Sequence, residues 1–397
     1  MKGRQGALPS SSWIPTSPDR PVERIGDDMT IGFHPPPYPF ERIDDLRKMA
    51  ASQPSGLVDL SIGNPCDPVP EVVATALAEP DPARTYPPSI GSSDLRQAVV
   101  GWVERSFGVG LNPAETGVCI GTKELVTGLP HLLKLRTPGR DTILYPAVSY
   151  PSYAMGAELA GCRAVAVPVD GKWCLDLSAI DESDAERALA LWVNTPGNPA
   201  GGLDDLEAAA SWGRSYDVMV LSDECYAEFT WEGPPRSVLQ HGSKGVLAVH
   251  SLSKRSNLAG LRVGYYAGDP DLVLYLQEVR KHQGFMVSGP AQVAAVAALS
   301  DQSHVDVQRD RYRRRLESLV EVMAAMNVAV SMPDGAFYLW APAPAGDAWG
   351  FARVLADELG MVVSPGELFG EAGAGHVRLA AVASDEHIDL LRERARI

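Results

Sequence analysis

The feature that most constrains this chain is a series of short apolar runs at 142–145, 164–169, 191–193, 218–221, 246–249 and 262–267. Stretches with helical spacing separate them, as at 92–107, where Leu95, Val99, Trp102 and Val103 share one face, at 123–135 and at 203–216. A run that is apolar throughout, rather than alternating, is buried on both faces. Such runs alternating with helices predict βαβ units and a mostly parallel sheet covered by helices, an α/β fold. After Asp269-Pro270 the pattern changes to a long helical region, a strand-like stretch at 335–340, a helix near 349–359, a strand at 377–380 and a last helix. That is the mixed pattern of a smaller α+β domain.

The expected organisation is therefore a flexible extension over 1–30, an N-terminal arm and part of a small domain over 31–85, a large domain over 86–290 and a C-terminal small domain over 291–397. Pro9, Pro15 and Pro18 among serines argue against a regular element in the extension. His34-Pro-Pro-Pro-Tyr-Pro-Phe40 is a stiff, extended stretch suited to lying along a surface or a partner subunit.

Composition narrows the function classes. There are 50 Asp+Glu and 35 Lys+Arg in 397 residues, a formal charge of −15, which argues against nucleic acid as the main partner. No stretch approaches the roughly 18 consecutive apolar residues of a spanning helix, and the first residues lack a signal peptide's apolar core. Five cysteines without a Cys-x-x-Cys pair fit a reducing compartment, and the eight histidines show no metal-ligand spacing. The expectation is a soluble, cytoplasmic protein without a metal, a membrane anchor or a nucleic-acid partner.

Three motifs each follow a strand run. Ser251-Leu-Ser-Lys-Arg-Ser-Asn-Leu-Ala-Gly-Leu-Arg262 places Lys254 at a strand end, where desolvation lowers an amine's pKa and frees it for Schiff-base chemistry. Its hydroxyls and Arg262 are suited to a phosphate. A solvated Lys-Arg pair in a loop is the plain alternative. Asn194-Thr-Pro-Gly-Asn-Pro-Ala-Gly201 could be a turn, and Asp223 in Ser222-Asp-Glu-Cys-Tyr226 a helix cap. Three such motifs at the carboxyl ends of a parallel sheet, where ligands bind, are hard to read as three turns.

In order and content these motifs resemble the pyridoxal 5′-phosphate (PLP) aminotransferases of fold type I, over about residues 35–397. Within that group the stretches at 250–260, 222–226 and 58–63 are most similar to actinobacterial N-succinyldiaminopimelate aminotransferases. The resemblance implies a large PLP-binding domain on a seven-stranded, mostly parallel sheet, with a smaller domain from the N- and C-terminal segments. It implies that Lys254 carries the Schiff base and moves the proton, and that Asp223 pairs with the pyridine nitrogen. Tyr226 and Asn198 would hydrogen-bond the phenolic oxygen. Tyr150 would stack on the ring, with a plain core aromatic as the competing reading. Gly121, Thr122 and Lys123 at a helix start, with Ser251 and Arg262, would hold the phosphate, joined by Tyr86 from the other subunit of a homodimer. Arg378 in His376-Val-Arg-Leu-Ala380 would clamp the substrate α-carboxylate, and Gly63 would let the backbone approach it.

Ala200 stands where the family usually has Thr, and 281–290 departs from the nearest relatives. The resemblance implies amino transfer between glutamate or 2-oxoglutarate and an N-succinyl-diaminopimelate-like substrate, whose distal carboxylates call for a second cationic site; Arg84, Arg255 and Lys281 are candidates. The departures motivate an alternative, elimination, replacement or ring-forming chemistry on an amino acid such as S-adenosylmethionine. A ligand-sensing regulator is the third class, disfavoured by the acidic charge and the lack of a helix-turn-helix pattern at 1–40. Cys225 reads as a small packed residue, Gly370 to Gly375 as a turn, and Arg309 to Arg315 as a solvated helix face.

Overall fold

In the computed structural model the apolar runs line up as one sheet, but the run at 164–169 becomes an edge strand with a single neighbour and is mostly exposed or half-buried, against the expectation of burial on both faces. The structure describes residues 33–79 and 81–397, so the expected extension over 1–30 lies outside the described residues. Residues 33–38 carry no helix or strand, and Pro39–Ile397 pack as one unit. In chain order the strands are β1 (Val58–Asp59), β2 (Thr116–Cys119), β3 (Thr142–Pro146), β4 (Arg163–Val167), β5 (Ala188–Asn194) and β6 (Met219–Asp223). They continue with β7 (Val246–Ser251), β8 (Gly264–Gly268), β9 (Tyr338–Pro342), β10 (Met361–Val362), β11 (Ser364–Pro365) and β12 (His376–Ala380).

The large sheet has seven strands in the order β2-β8-β7-β6-β5-β3-β4. Only β8 runs antiparallel to its neighbours β2 and β7. Every residue of β5 and β7 is buried, as the unbroken apolar pattern requires. Helices cover both faces. Ser93–Phe107 shows why: Leu95, Val99, Trp102 and Val103 bury one stripe, and the Ser92 side chain caps its start by accepting from the Leu95 N–H at 3.2 Å. A cap of that kind contributes about 1 kcal/mol.

The second layer is built from both ends of the chain. β12 pairs antiparallel with β9 and β11, and β1 pairs parallel with β10, so residues 58–59 join the C-terminal segment. The boundary expected between residues 290 and 291 falls inside the helix Gly289–Ser300, whose buried alanines pack on the helices Glu71–Leu77 and Ser93–Phe107.

The run 309–315 is not a uniformly solvated face. In the helix Ser303–Ala325 the 3.6-residue period puts Arg315 on the same side as Tyr312 and Leu316, and it is buried. There its guanidinium bonds both Asp67 oxygens at 2.8 Å and Asp385 at 2.6 Å. Arg309 donates to the Glu228 carbonyl at 2.7 Å and lies over the Trp231 ring. Among the described residues, no helix is long and apolar enough to cross a membrane, and no group of three His, Cys, Asp or Glu could hold a metal ion.

Candidate active site

β5, β6 and β7 are parallel neighbours, so their last residues, Asn194, Asp223 and Ser251, emerge side by side at the carboxyl edge. Ser251 caps the short helix Leu252–Arg255 by accepting from the Ser253 N–H at 3.1 Å. This turn carries Lys254, whose amine donates to the Gly63 carbonyl. Burial first, and then the Arg378 and Arg262 charges, push the Lys254 amine down from 10.5 to about 8, against the pull of the Asp223 carboxylate. At neutral pH about one amine in ten is then uncharged and nucleophilic. PLP capture by the cofactor-free protein, followed by visible absorbance, is expected to accelerate as pH rises to about 8 and to level off above it. Acceleration that continued past pH 10 would contradict the lowered amine.

Asp223 is buried, and burial raises its carboxyl above the usual range, while hydrogen bonds and the Lys254 charge oppose the shift. One oxygen accepts from the Tyr153 hydroxyl at 2.8 Å and the other from the Cys225 N–H at 3.2 Å. A buried carboxylate with an open side suits a cationic ring nitrogen. Tyr150 is half-buried and meets Tyr153 edge-on, with ring centroids 6.1 Å apart. The Cys225 thiol points at Thr122 Oγ1, 3.7 Å away, and burial holds it well above its ordinary pKa, so it is a packed thiol rather than a nucleophile.

Next to this stands a cradle for an anion. Gly121 precedes the helix Thr122–Arg136 with φ +71, and a Cβ there would lie 2.2 Å from the Arg262 guanidinium. The positive φ is what calls for glycine, and the absent side chain lets the Arg262 guanidinium lie against this turn. The helix's first N–H groups and the Arg262 fork therefore converge on one place, the arrangement that favours a phosphate. Lys123 itself is exposed.

Arg378 closes the site. β12 buries it, and its guanidinium stacks 4.3 Å from the Tyr338 ring and 4.5 Å from the Phe369 ring. Nη1 donates to Asn198 Oδ1 at 2.7 Å and Nη2 to the Ser61 carbonyl. The Asn198 N–H in turn donates to Asn194 Oδ1 at 2.7 Å. Tyr226 is buried, with its hydroxyl 2.9 Å from that of Tyr338. A Cβ on Gly63 would overlap the Tyr338 hydroxyl, which explains glycine there.

Contacts thus link Lys254, Asp223, Tyr226, Asn198, Gly121, Thr122, Ser251, Arg262, Gly63 and Arg378 into one locality. Tyr86 is 94% exposed within the chain. Arg255, a candidate for a distal carboxylate, is buried and already bonded to Glu228 at 2.7 Å and to the Ala298 carbonyl. Tyr153 and Tyr338 also belong to this locality, and no sequence motif points to either.

The model of aminotransferase class I and II matches residues 55–394, which takes in every motif above. The chain belongs to that family. A Streptomyces rimosus relative, 4-dedimethylamino-4-oxo-anhydrotetracycline transaminase OxyQ, is 40% identical over 361 residues, 89% of this chain and 97% of the relative. The LL-diaminopimelate aminotransferase of Aquifex aeolicus is 34% identical over 374 residues, 90% and 96% of the two chains. Among solved structures, a Thermus thermophilus protein named probable N-succinyldiaminopimelate aminotransferase matches with TM-score 0.81 and 30% identity, over 90% of this chain and 99% of that one. The protein is a PLP-dependent transaminase acting on amino and keto acids. The residues present fit the cofactor: an amine of lowered pKa, a buried carboxylate and a glycine-floored anion cradle lie together.

Proposed function

We propose that the enzyme moves an amino group between glutamate or 2-oxoglutarate and a keto acid of the N-succinyl-2-amino-6-ketopimelate type. The observation that carries the amino-acid part is Arg378, buried, stacked between two rings and paired with Asn198, a fork preset for a carboxylate. The diaminopimelate names of two relatives support the acceptor.

In this reading Lys254 holds the cofactor and carries the proton between the substrate's α-carbon and the cofactor. PLP, when bound, supplies an electron sink for the carbanion left at that carbon. Asp223 balances the charge on the pyridine nitrogen. Tyr226 and Asn198 hydrogen-bond the phenolic oxygen, and Tyr150 covers the ring face. The backbone of Gly121, Thr122 and Lys123 holds the phosphate with Ser251 and Arg262, and Gly63 lines the carboxylate site. Tyr86 of a second copy completes the phosphate site, so the working unit is a homodimer; the near-total exposure of Tyr86 in one chain supports this. We keep the division into a large PLP-binding domain and a small domain as part of the proposal.

The test is a visible-absorbance titration of the PLP-loaded protein. Glutamate is expected to remove the yellow band and 2-oxoglutarate to restore it. No response to glutamate would reject this donor and favour replacement chemistry on another amino acid. OxyQ gives a second reading, amino transfer to a ring ketone, because it is named for a 4-oxo-anhydrotetracycline. Comparing the two acceptors after loading with glutamate separates the readings.

Arg378→Lys keeps the charge but cannot reproduce both bonds and the double stacking. One or two charge-assisted bonds correspond to a loss of about 10- to 100-fold in kcat/KM for glutamate. The loss is expected mainly in KM; an unchanged KM would remove Arg378 from the carboxylate site.

A further inference from the structure

Tyr338 lies outside the set of residues assigned above, yet it touches two of them. β9 and β12 pair with Tyr338 opposite Ala380 and Arg378 opposite Trp340, so Tyr338 and Arg378 are diagonal neighbours on one face. That register sets the Tyr338 ring beneath the guanidinium, 4.3 Å from it, and aims the hydroxyl at Tyr226, 2.9 Å away. Both tyrosines are buried.

Two facing phenols share one hydrogen bond, and its direction decides what Tyr226 can do. If Tyr226 donates to Tyr338, its only proton is spent there. If Tyr338 donates, the Tyr226 proton is available elsewhere. The surroundings are unequal. Burial first of all holds both hydroxyls above their ordinary pKa. Beside Tyr226 the Asp223 carboxylate adds to that rise, whereas the Arg378 guanidinium, 4.3 Å from the Tyr338 ring, favours negative charge on Tyr338 in opposition to burial. The more acidic phenol is the donor.

We propose that Tyr338 is a positioning residue: its hydroxyl donates to the Tyr226 oxygen and so commits the single Tyr226 proton to the cofactor's phenolic oxygen. This rests on the reading that Tyr226 hydrogen-bonds that oxygen. Donation from Tyr338 also polarises Tyr226 and makes it a stronger donor. Arg378 thereby acts on the cofactor's oxygen through two phenols, as well as on the substrate.

The test uses the PLP-loaded parent, Tyr338→Phe, Tyr226→Phe and the double variant, each titrated with pH by visible absorbance. Phe at 338 keeps the ring under Arg378 and removes only the donor. A weaker Tyr226 donor leaves the phenolic oxygen more negative, so it holds the proton on the Lys254-bound nitrogen more tightly. The Tyr338→Phe midpoint is expected to rise by about half a unit to one unit. Tyr226→Phe should rise further, and the double variant should sit with Tyr226→Phe. A parent-like or lowered midpoint in Tyr338→Phe, with Tyr226→Phe raised, overturns the relay while the Tyr226 reading stands. A double variant well beyond Tyr226→Phe also overturns it. No movement in either single variant overturns both.

Discussion

Lys254→Ala is expected to abolish the visible band of the bound cofactor and to lower kcat for glutamate by at least about 10⁴-fold. In the proposed reading two roles fall on one amine. The first is to hold the cofactor, for which burial has pushed the group down to about 8. The second is to carry a proton, for which the group must be near neutrality in pKa and within reach of the reacting carbon. The neighbouring guanidiniums cannot take over. Arg255 is committed to Glu228 and the Ala298 carbonyl, and Arg262 and Arg378 are guanidiniums that do not release protons. The measurement is stopped-flow absorbance with glutamate after loading with PLP. Added methylamine should restore part of the rate by supplying a proton carrier, while the covalent hold on the cofactor stays lost. A variant that turned over within tenfold of the parent would remove Lys254 from both roles.

The same amine shows what a sequence can carry. A lysine at the end of an apolar run is local information: β7 is buried throughout, so its end is desolvated whatever else the fold does. Asp223 and Asn198 are legible for the same reason, lying at or just past the ends of β6 and β5. Tyr338 is not legible in this way. Its role depends on the register of β9 against β12 and on a tyrosine 112 positions away. Tyr153 shares a segment with Tyr150, and spacing alone could not say which one turns inward to Asp223. β2 is a four-residue strand containing a glycine, too short for its pattern to rise above the surrounding loops. Arg315 failed the charge-run reading because its partners, Asp67 and Asp385, arrive from opposite ends of the chain.

Asp223→Asn is expected to lower kcat by about 10² to 10³-fold while leaving the fold and the substrate KM near the parent's. The substitution keeps the volume, and its Oδ1 can still accept from the Cys225 N–H while Nδ2 donates to the Tyr153 hydroxyl, which reverses the bond Tyr153 gives Asp223. What it removes is a negative charge in a buried position. A cationic ring nitrogen facing a neutral amide there loses its counter-charge, and breaking one side of a buried ion pair costs about 3–5 kcal/mol. With Asp223 as the proposed partner, its loss would leave the nitrogen without the counter-charge that holds its proton, and PLP would supply a weaker electron sink. Glu224 cannot substitute. Its carboxyl is pushed up to about 7 by burial and accepts from the Ser222 hydroxyl and the Val238 N–H, both at 2.7 Å, beside the ring of His250. In the proposed reading two adjacent carboxyls have divided tasks: Asp223, held by Tyr153, serves the cofactor, and Glu224 is built into the core. Glu224→Gln, which keeps the shape and adds a donor, should leave kcat within about threefold of the parent, whereas Asp223→Asn should not. Rapid-kinetic measurement of α-proton loss, with deuterated glutamate as the control, checks the contrast. Equal effects of the two substitutions would mean that the charge at 223 is not what the reaction uses.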